Sequence, residues 1–456
     1  MPQTIAAIAT APGRGGVAIV RVSGEDALLA LSTLTPIQDP HPRYAYFSKF
    51  TAPDGTVLDE GVVIYFKAPH SYTGEDVVEF QGHGGMTAPQ RVLKALLALP
   101  QIRMAEPGEF TKRAFLNGKM DLTAAEAVED LIAAGSDKAA SAALASLEGQ
   151  FASRLNALTE RLTKLRVRLE ACLDFPEEHE DFFDSGLAAS ELKAFLDDGN
   201  AALLRAQQGV RLSEGARLVL AGAPNAGKSS ILNALAGADK AIVTNIPGTT
   251  RDVLSVNIEI QGIPAVITDT AGLRDNPSDE IEAIGIKRAI AELKKADLVL
   301  LMVDRTGSAA DALDSLMQVK AQLGESIPLM VLVSKADLTA SAELKATLTS
   351  PAFKDLPQLD ISVVSEQGLD GLRQKLSSAL GIMPLEGVYS ARRRHLTALQ
   401  ASMEAVARAQ EQLQLGDLVL CAHELAQAQE SLGLITGKVT SDDILGEIFS
   451  SFCIGK

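Results

Sequence analysis

The sequence predicts a multidomain protein of mixed α+β and α/β class. An N-terminal α+β domain leads into a discontinuous helical bundle, and a Ras-like P-loop domain is inserted into that bundle. Three observations predict this. Residues 222–229 read GAPNAGKS and fit the phosphate-binding pattern G-x-x-x-x-G-K-[ST]. A chain of 456 residues suggests about three domains. The helical periodicity of residues 122–208 returns after residue 383, beyond the strands and helices that carry the motif. Insertion at a surface loop is physically undemanding, because domain termini often lie close together. Two separate helical domains are the alternative.

The elements follow in order. Residues 1–118 are assigned to the N-terminal domain. Within it, residues 4–10, 17–22, 44–50, 62–66 and 77–80 are β-branched or aromatic runs bounded by turn residues, and read as strands. Residues 24–34 and 89–99 read as helices. Residues 119–210 and 380–456 are assigned to the helical domain, since they are dense in Ala, Leu, Glu and Arg with apolar residues at helical spacing. Residues 211–379 alternate strands with helices, as a nucleotide-binding α/β domain does. There, residues 216–221 (ARLVLA) read as a buried strand and residues 230–236 (SILNALA) as a helix, the context the phosphate loop requires.

Composition narrows the class. The charged fraction of 22% and hydrophobic fraction of 46% suit a soluble globular protein. No apolar run approaches the roughly 20 residues of a membrane span, and the N-terminus shows no signal-peptide pattern. Cys172, Cys421 and Cys453 form no disulfide framework, and no Cys/His group has zinc spacing, so a cytoplasmic location is expected. The net charge of −16 argues against broad, non-specific nucleic-acid binding. A local basic patch remains open to it, and residues 392–394 (RRR) are the candidate for phosphate contacts.

The glycines of 222–229 let backbone N–H groups face phosphate oxygens at a helix N-terminus. Lys228 would reach the β- and γ-phosphates and Ser229 would ligate Mg²⁺. Residues 269–272 (DTAG) close a strand at the Walker-B position, where Asp269 can hold Mg²⁺ through water and the Gly272 N–H can sense a γ-phosphate. Between them lies IPGTTRD, residues 246–252, with Thr250 expected to close over Mg²⁺. Residues 334–337 (SKAD) occupy the base-reading place, and the Asp337 carboxylate suits guanine N1–H and its amino group. Ser334 departs from the usual Asn there, and residues 362–364 (SVV) from the usual Ser-Ala-Lys, so guanine selectivity with weakened affinity is expected. The expected nucleotide contacts are therefore Asn225, Ala226, Gly227, Lys228, Ser229 and Ser230; Thr244, Asn245, Ile246, Pro247, Gly248, Thr249 and Thr250; Asp269, Thr270, Ala271 and Gly272; Ser334, Lys335, Ala336 and Asp337; and Ser362, Val363 and Val364. Leu273 stands where Ras-like GTPases orient water with Gln, so another group must do so. The Asn225 carbonyl could coordinate a monovalent cation beside the phosphates, or Asn225 could be a turn former.

With these motifs the chain resembles the bacterial tRNA modification GTPase family (MnmE, also called TrmE) over its whole length. The carrying residues are the Asn-bearing phosphate loop, IPGTTRD, DTAGLR (269–274), FPEE (175–178), DVVEFQGHGG (76–85), NGKMDLTAAEAV (117–128) and the C-terminal run 440–456, which ends in CIGK. The resemblance implies a GTP hydrolase acting in tRNA modification. Such proteins work with the FAD-containing partner MnmG to install an aminomethyl or carboxymethylaminomethyl group at C5 of the wobble uridine. It further implies a homodimer, a heterotetramer with MnmG, and a folate-binding N-terminal domain that uses 5-formyl- or methylene-tetrahydrofolate.

Carried over by position, the resemblance puts folate contacts on Arg21, Glu79, Lys119 and Lys456. K⁺ falls on Asn225, Thr244, Ile246 and Thr249, and Mg²⁺ on Ser229 and Thr250. Glu282 becomes the acid that orients water, and Glu282, Lys228 and Cys453 the catalytic candidates. The plain readings stand beside these. Arg21 and Glu79 could be strand-face charges, Lys119 and Glu282 solvated ones, and His83 a turn residue, with Cys172 and Cys421 small buried hydrophobes. A regulatory or assembly GTPase that acts on RNA or ribosome without group transfer is the alternative function.

Overall fold

The structure is a computed structural model that describes residues 3–174, 186–238, 255–269, 290–323, 327–381, 387–438 and 442–455. Its contacts divide the chain into two compact units. One comprises residues 1–129, 147–196 and 401–456, and the other residues 130–146 and 197–400.

The first unit is built on a six-stranded sheet. Its strands are β1 (Thr4–Ile8), β2 (Val17–Ser23), β3 (Ala45–Thr51), β4 (Val57–Phe66), β5 (Val77–His83) and β6 (Ile102–Met104), in the order β3-β4-β5-β2-β1-β6. All pairs are antiparallel except β1 with β6. The period-2 alternation of side chains sorts the faces. Ala6, Val20, Val22, Val78 and Phe80 face α1 (Ala27–Leu34) and α2 (Ala88–Leu97). Ile5 and Ala7 face the other way, against Phe110 of α3 (Glu109–Leu116). The five strands expected from sequence are present; β6 and α3 were not foreseen.

Helices complete this unit. Leu155, Leu158, Leu162, Leu165 and Leu169 line the buried face of α6 (Gln150–Asp174) at helical spacing. The long helix α13 (Leu418–Thr436) packs on α6. It opens where the Asp417 carboxylate accepts from Leu420 N–H at 2.9 Å, and it closes on Gly437 in the left-handed region. The C-terminal helix α14 (Asp442–Ser450) buries Leu445, Ile448 and Phe449 with Leu122 and Ala125 of α4 (Leu122–Ala133). The segment after it reaches the sheet. Ile454 bridges Pro107, and a Cβ at Gly455 would stand 2.2 Å from Ile8 O.

The second unit carries a six-stranded sheet of order β12-β11-β10-β7-β9-β8. Its strands are β7 (Ala216–Gly222), β8 (Ser255–Ile260), β9 (Ile263–Asp269), β10 (Leu298–Asp304), β11 (Leu329–Ser334) and β12 (Gln358–Asp360). All pairs are parallel except β8 with β9. Such strands are apolar on both faces: Leu218, Leu220, Leu300 and Leu332 face one core, and Val219, Leu301 and Val331 the other. Each such side chain contributes about 1.5–3 kcal/mol by burial. Ala139 and Ala142 of α5 (Asp137–Leu147) join the first of these cores. The hairpin turn Gln261–Gly262, with φ of +51° and +91°, docks there too: Ser136 Oγ donates to Gly262 O at 2.5 Å, and Lys138 Nζ to Gln261 O at 2.8 Å.

Candidate functional site

The phosphate loop leaves β7 at Gly222 and enters α8 (Lys228–Ala238). Gly222 has φ of +138°, and a Cβ on it would stand 2.4 Å from Met302 O of β10, so only glycine fits. Gly227 has φ of +94° and Asn225 of +63°. Asn is among the few side chains that tolerate this region. Ala226 is buried, whereas Asn225, Ser229 and Ser230 are exposed at the loop and helix start.

Lys228 is 8% exposed, and its Nζ donates to Gly222 O and Ala223 O, both at 2.9 Å. Burial pushes its pKa below the ordinary lysine value, opposed by the charge of Asp269. Asp269 is equally buried, and burial raises its pKa against the pull of Lys228. Its Oδ1 has no hydrogen-bond partner among the described residues. A buried carboxylate oxygen without a donor suits a hydrated cation, so this donor set fits Mg²⁺. Thr270, Ala271 and Gly272, the stretch from Thr244 to Thr250, and Glu282 lie outside the described residues.

The base-reading candidates converge at the ends of β10, β11 and β12. Ser334 is 5% exposed, and its Oγ donates to Ala226 O at 2.7 Å. The serine thus braces the phosphate loop although it stands where Asn is usual. Lys335 sits at φ of +58° with its ammonium 2.6 Å from Asp304 Oδ2. Asp337 is exposed, and its Oδ1 accepts from Ser362 Oγ at 2.6 Å. Ala336 N–H donates to Ile361 O at 3.0 Å, joining the two loops. Val363 and Val364 are exposed beside them. Asp304 and Arg305 belong to this group and were missed; nothing in local spacing links them to residues 30 to 55 positions away.

In the first unit, Arg21 and Glu79 are register partners on β2 and β5 and form an ion pair at 2.9 Å. The Arg21 guanidinium lies over the rings of Tyr72 and Phe110. Lys119 Nζ donates to Pro69 O at 2.9 Å, and its side chain lies against Gly74. The segment 69–74 therefore touches both Arg21 and Lys119. Lys456 lies outside the described residues. Cys453 is exposed, whereas Cys172 and Cys421 are buried; burial raises both of their thiol pKa values, that of Cys421 to about 11. Ile454 lines a cavity of about 480 Å³ with Thr10, Arg14, Gly85, Met86 and Gln90, but Arg21, Glu79 and Lys119 do not border it. His83 ends β5 and pairs with Asp59 at 2.7 Å.

The family model described as "GTP-binding protein TrmE N-terminus" matches residues 4–119, and that described as "MnmE helical domain" matches residues 122–453. The chain is 48% identical over 459 aligned residues to proteins from Vibrio parahaemolyticus and Shewanella amazonensis named "tRNA modification GTPase MnmE", covering 100% of this chain and 99% of each relative. Among solved structures, the G domain of the T. maritima FeoB iron transporter is 27% identical over 36% of this chain and 98% of that one, with a TM-score of 0.28. Among the described residues, no helix is long and apolar enough to cross a membrane.

Proposed function

Because the chain belongs to the MnmE family of tRNA modification GTPases, we propose that it is the GTP-hydrolysing component of tRNA wobble-uridine C5 modification. The end-to-end match to its relatives carries this reading. The paired N-terminal and helical family matches favour it over a regulatory or assembly GTPase without group transfer. The geometry at the phosphate loop agrees with it. Loop amides and the Lys228 ammonium bind the phosphates. Ser229, Thr250 and Asp269 would hold Mg²⁺, which supplies charge neutralisation at the β- and γ-oxygens. Asp337 reads guanine, and Ser362 orients its carboxylate.

With Leu273 in the Gln place, Glu282 orients the attacking water. Asn225, Thr244, Ile246 and Thr249 would hold K⁺, which would supply the positive charge that an arginine finger brings, and two GTPase domains of a homodimer would meet there. Arg21, Glu79, Lys119 and Lys456 would hold a reduced folate, which would supply the one-carbon unit, and Cys453 is the exposed thiol candidate. MnmG joins to form a heterotetramer in the cytoplasm. Docking of tRNA on residues 392–394 has less support. Arg392 is paired with Asp130 at 3.1 Å, and Arg393 with Glu214 at 2.9 Å and Asp297 at 3.5 Å.

The test combines the purified chain, GTP, Mg²⁺, K⁺, methylene-tetrahydrofolate as the carbon source, ammonium or glycine as the nitrogen source, an FAD-containing MnmG protein and unmodified tRNA, and measures the wobble nucleoside by mass. An aminomethyl or carboxymethylaminomethyl uridine that requires every component supports the proposal. Unmodified uridine in the complete mixture, with GTP still consumed, favours the assembly GTPase.

A further inference from the structure

Arg305, just past β10, ties the loop that carries Asp337 to the loop that carries Ser362. Its backbone N–H donates to Ser334 O at 3.2 Å. Its guanidinium donates through Nη1 to Ala336 O at 3.0 Å and through Nη2 to Asp360 Oδ2 at 2.8 Å. Ala336 immediately precedes Asp337, and Asp360 lies two residues before Ser362. One planar cation therefore spans both segments, a bridge that the fixed fork of arginine makes and a lysine ammonium does not. The third nitrogen, Nε, is buried without a hydrogen-bond partner among the described residues. A buried unpaired donor is unfavourable, so the site does not serve Arg305's own satisfaction. The loop it holds is strained, since Lys335 takes φ of +58°.

The geometry matters because of what Asp337 must do. To accept from guanine N1–H and the exocyclic amine together, both carboxylate oxygens must lie in the plane of the base. Ser362 fixes one oxygen through its 2.6 Å bond. The position of that bond depends on how residues 336–337 sit against residues 360–362. The acceptors within reach of the Ser334 hydroxyl are Ala226 O and Val303 O, neither of which belongs to the second loop. Beside the Ser362–Asp337 bond and the bond from Ala336 N–H to Ile361 O, Arg305 makes a further side-chain link between the two loops, through Ala336 O and Asp360 Oδ2.

We propose that Arg305 is a positioning residue for guanine recognition, acting through Ala336 and Asp360 to set the plane of the Asp337 carboxylate without touching the nucleotide. The proposal rests on the reading of Asp337 as the base acceptor. Full-length Arg305→Ala, Asp337→Ala and the double variant are compared by displacement of a fluorescent guanosine diphosphate with GDP and with inosine diphosphate, which lacks the amine. Arg305→Ala should weaken GDP about tenfold, as expected for one misaligned charge-assisted contact. It should weaken inosine diphosphate clearly less. KM for GTP should rise while kcat at saturation holds.

In the Asp337→Ala background, Arg305→Ala should change nothing further, since it acts through the group already removed. Equal weakening of both nucleotides, or a full additive loss in the double variant, would overturn the proposal in favour of a generally structural arginine. If the alanine variant does not fold, Arg305→Lys must show the same loss of preference for GDP, and a lysine variant that discriminates like the unmodified chain overturns it. If Asp337→Ala itself keeps the preference, the base reading fails; if it loses the preference while Arg305→Ala does not, only the role of Arg305 falls.

Discussion

Replacing Ser334 by alanine tests whether the base-reading strand end braces the phosphate loop. The hydroxyl donates to Ala226 O at 2.7 Å, and the two residues are 5% and 1% exposed. A neutral hydrogen bond contributes about 0.5–1.5 kcal/mol net, and a carbonyl left buried without its donor costs about 1–3 kcal/mol. The bond joins two protein segments, so its loss acts on how often the loop is correctly placed and weakens binding through that fraction. The effect on affinity is therefore bounded near 3 kcal/mol and expected near 1, a factor of about five in Kd. GTP and GDP should weaken alike, because both need the same loop, and kcat at saturation should hold. Titration with fluorescent GDP and a non-hydrolysable GTP analogue measures both. Affinities that stay as they were, or a loss confined to the triphosphate, would refute the bracing argument.

Other expectations follow from single contacts. Gly222→Ala puts a methyl 2.4 Å from Met302 O at a φ that L residues avoid, so thermal unfolding should move down and GDP should no longer raise it; a normal melt that responds to GDP would contradict this. Initial GTPase rates in KCl should exceed those in NaCl at equal ionic strength, and equal rates would leave Asn225 a turn former alone. Burial pushes the Glu109 carboxyl up, but Arg103, the Glu106 N–H and Arg113 outweigh it and hold the folded pKa at about 2, below the ordinary 4.5. Its stabilisation is therefore complete above about pH 4.5 and is lost as pH falls toward 2. Glu109→Gln should lower stability at neutral pH and flatten the acid limb of the unfolding curve; an unchanged acid limb would refute the linkage.

Much of the architecture was legible because its signals are local. The phosphate loop announces its strand and helix through fixed glycine spacing, and β7 and α8 lie on either side of it. The N-terminal strands carry β-branched runs that only a pleated surface satisfies. By contrast, β6 is three residues long and draws its pairing from β1, a hundred positions away. Alanine-rich periodicity identifies α5 as a helix but not its partner, and Ala139 and Ala142 pack into the core of the second sheet. Ser334 was read as a deficit because residue type alone does not show which backbone oxygen comes within reach. Arg305 left no trace for the same reason, since its acceptors come from two other strand ends.

The attachment of residues 453–455 to Pro107, Gly108 and Ile8 bears on how the chain is made. The second unit comes almost entirely from residues 197–400, so nearly all of it can collapse while synthesis continues. The first unit needs residues 401–455, which leave the ribosome roughly 20 to 80 s after its first strand at about 5–20 residues per second. During that interval the Pro107–Gly108 corner and the α4 surface lack their C-terminal cover. The nascent N-terminal sheet thus waits longest for its last contacts, and truncation after residue 440 should send the chain to aggregation or proteolysis before any loss of nucleotide chemistry is seen.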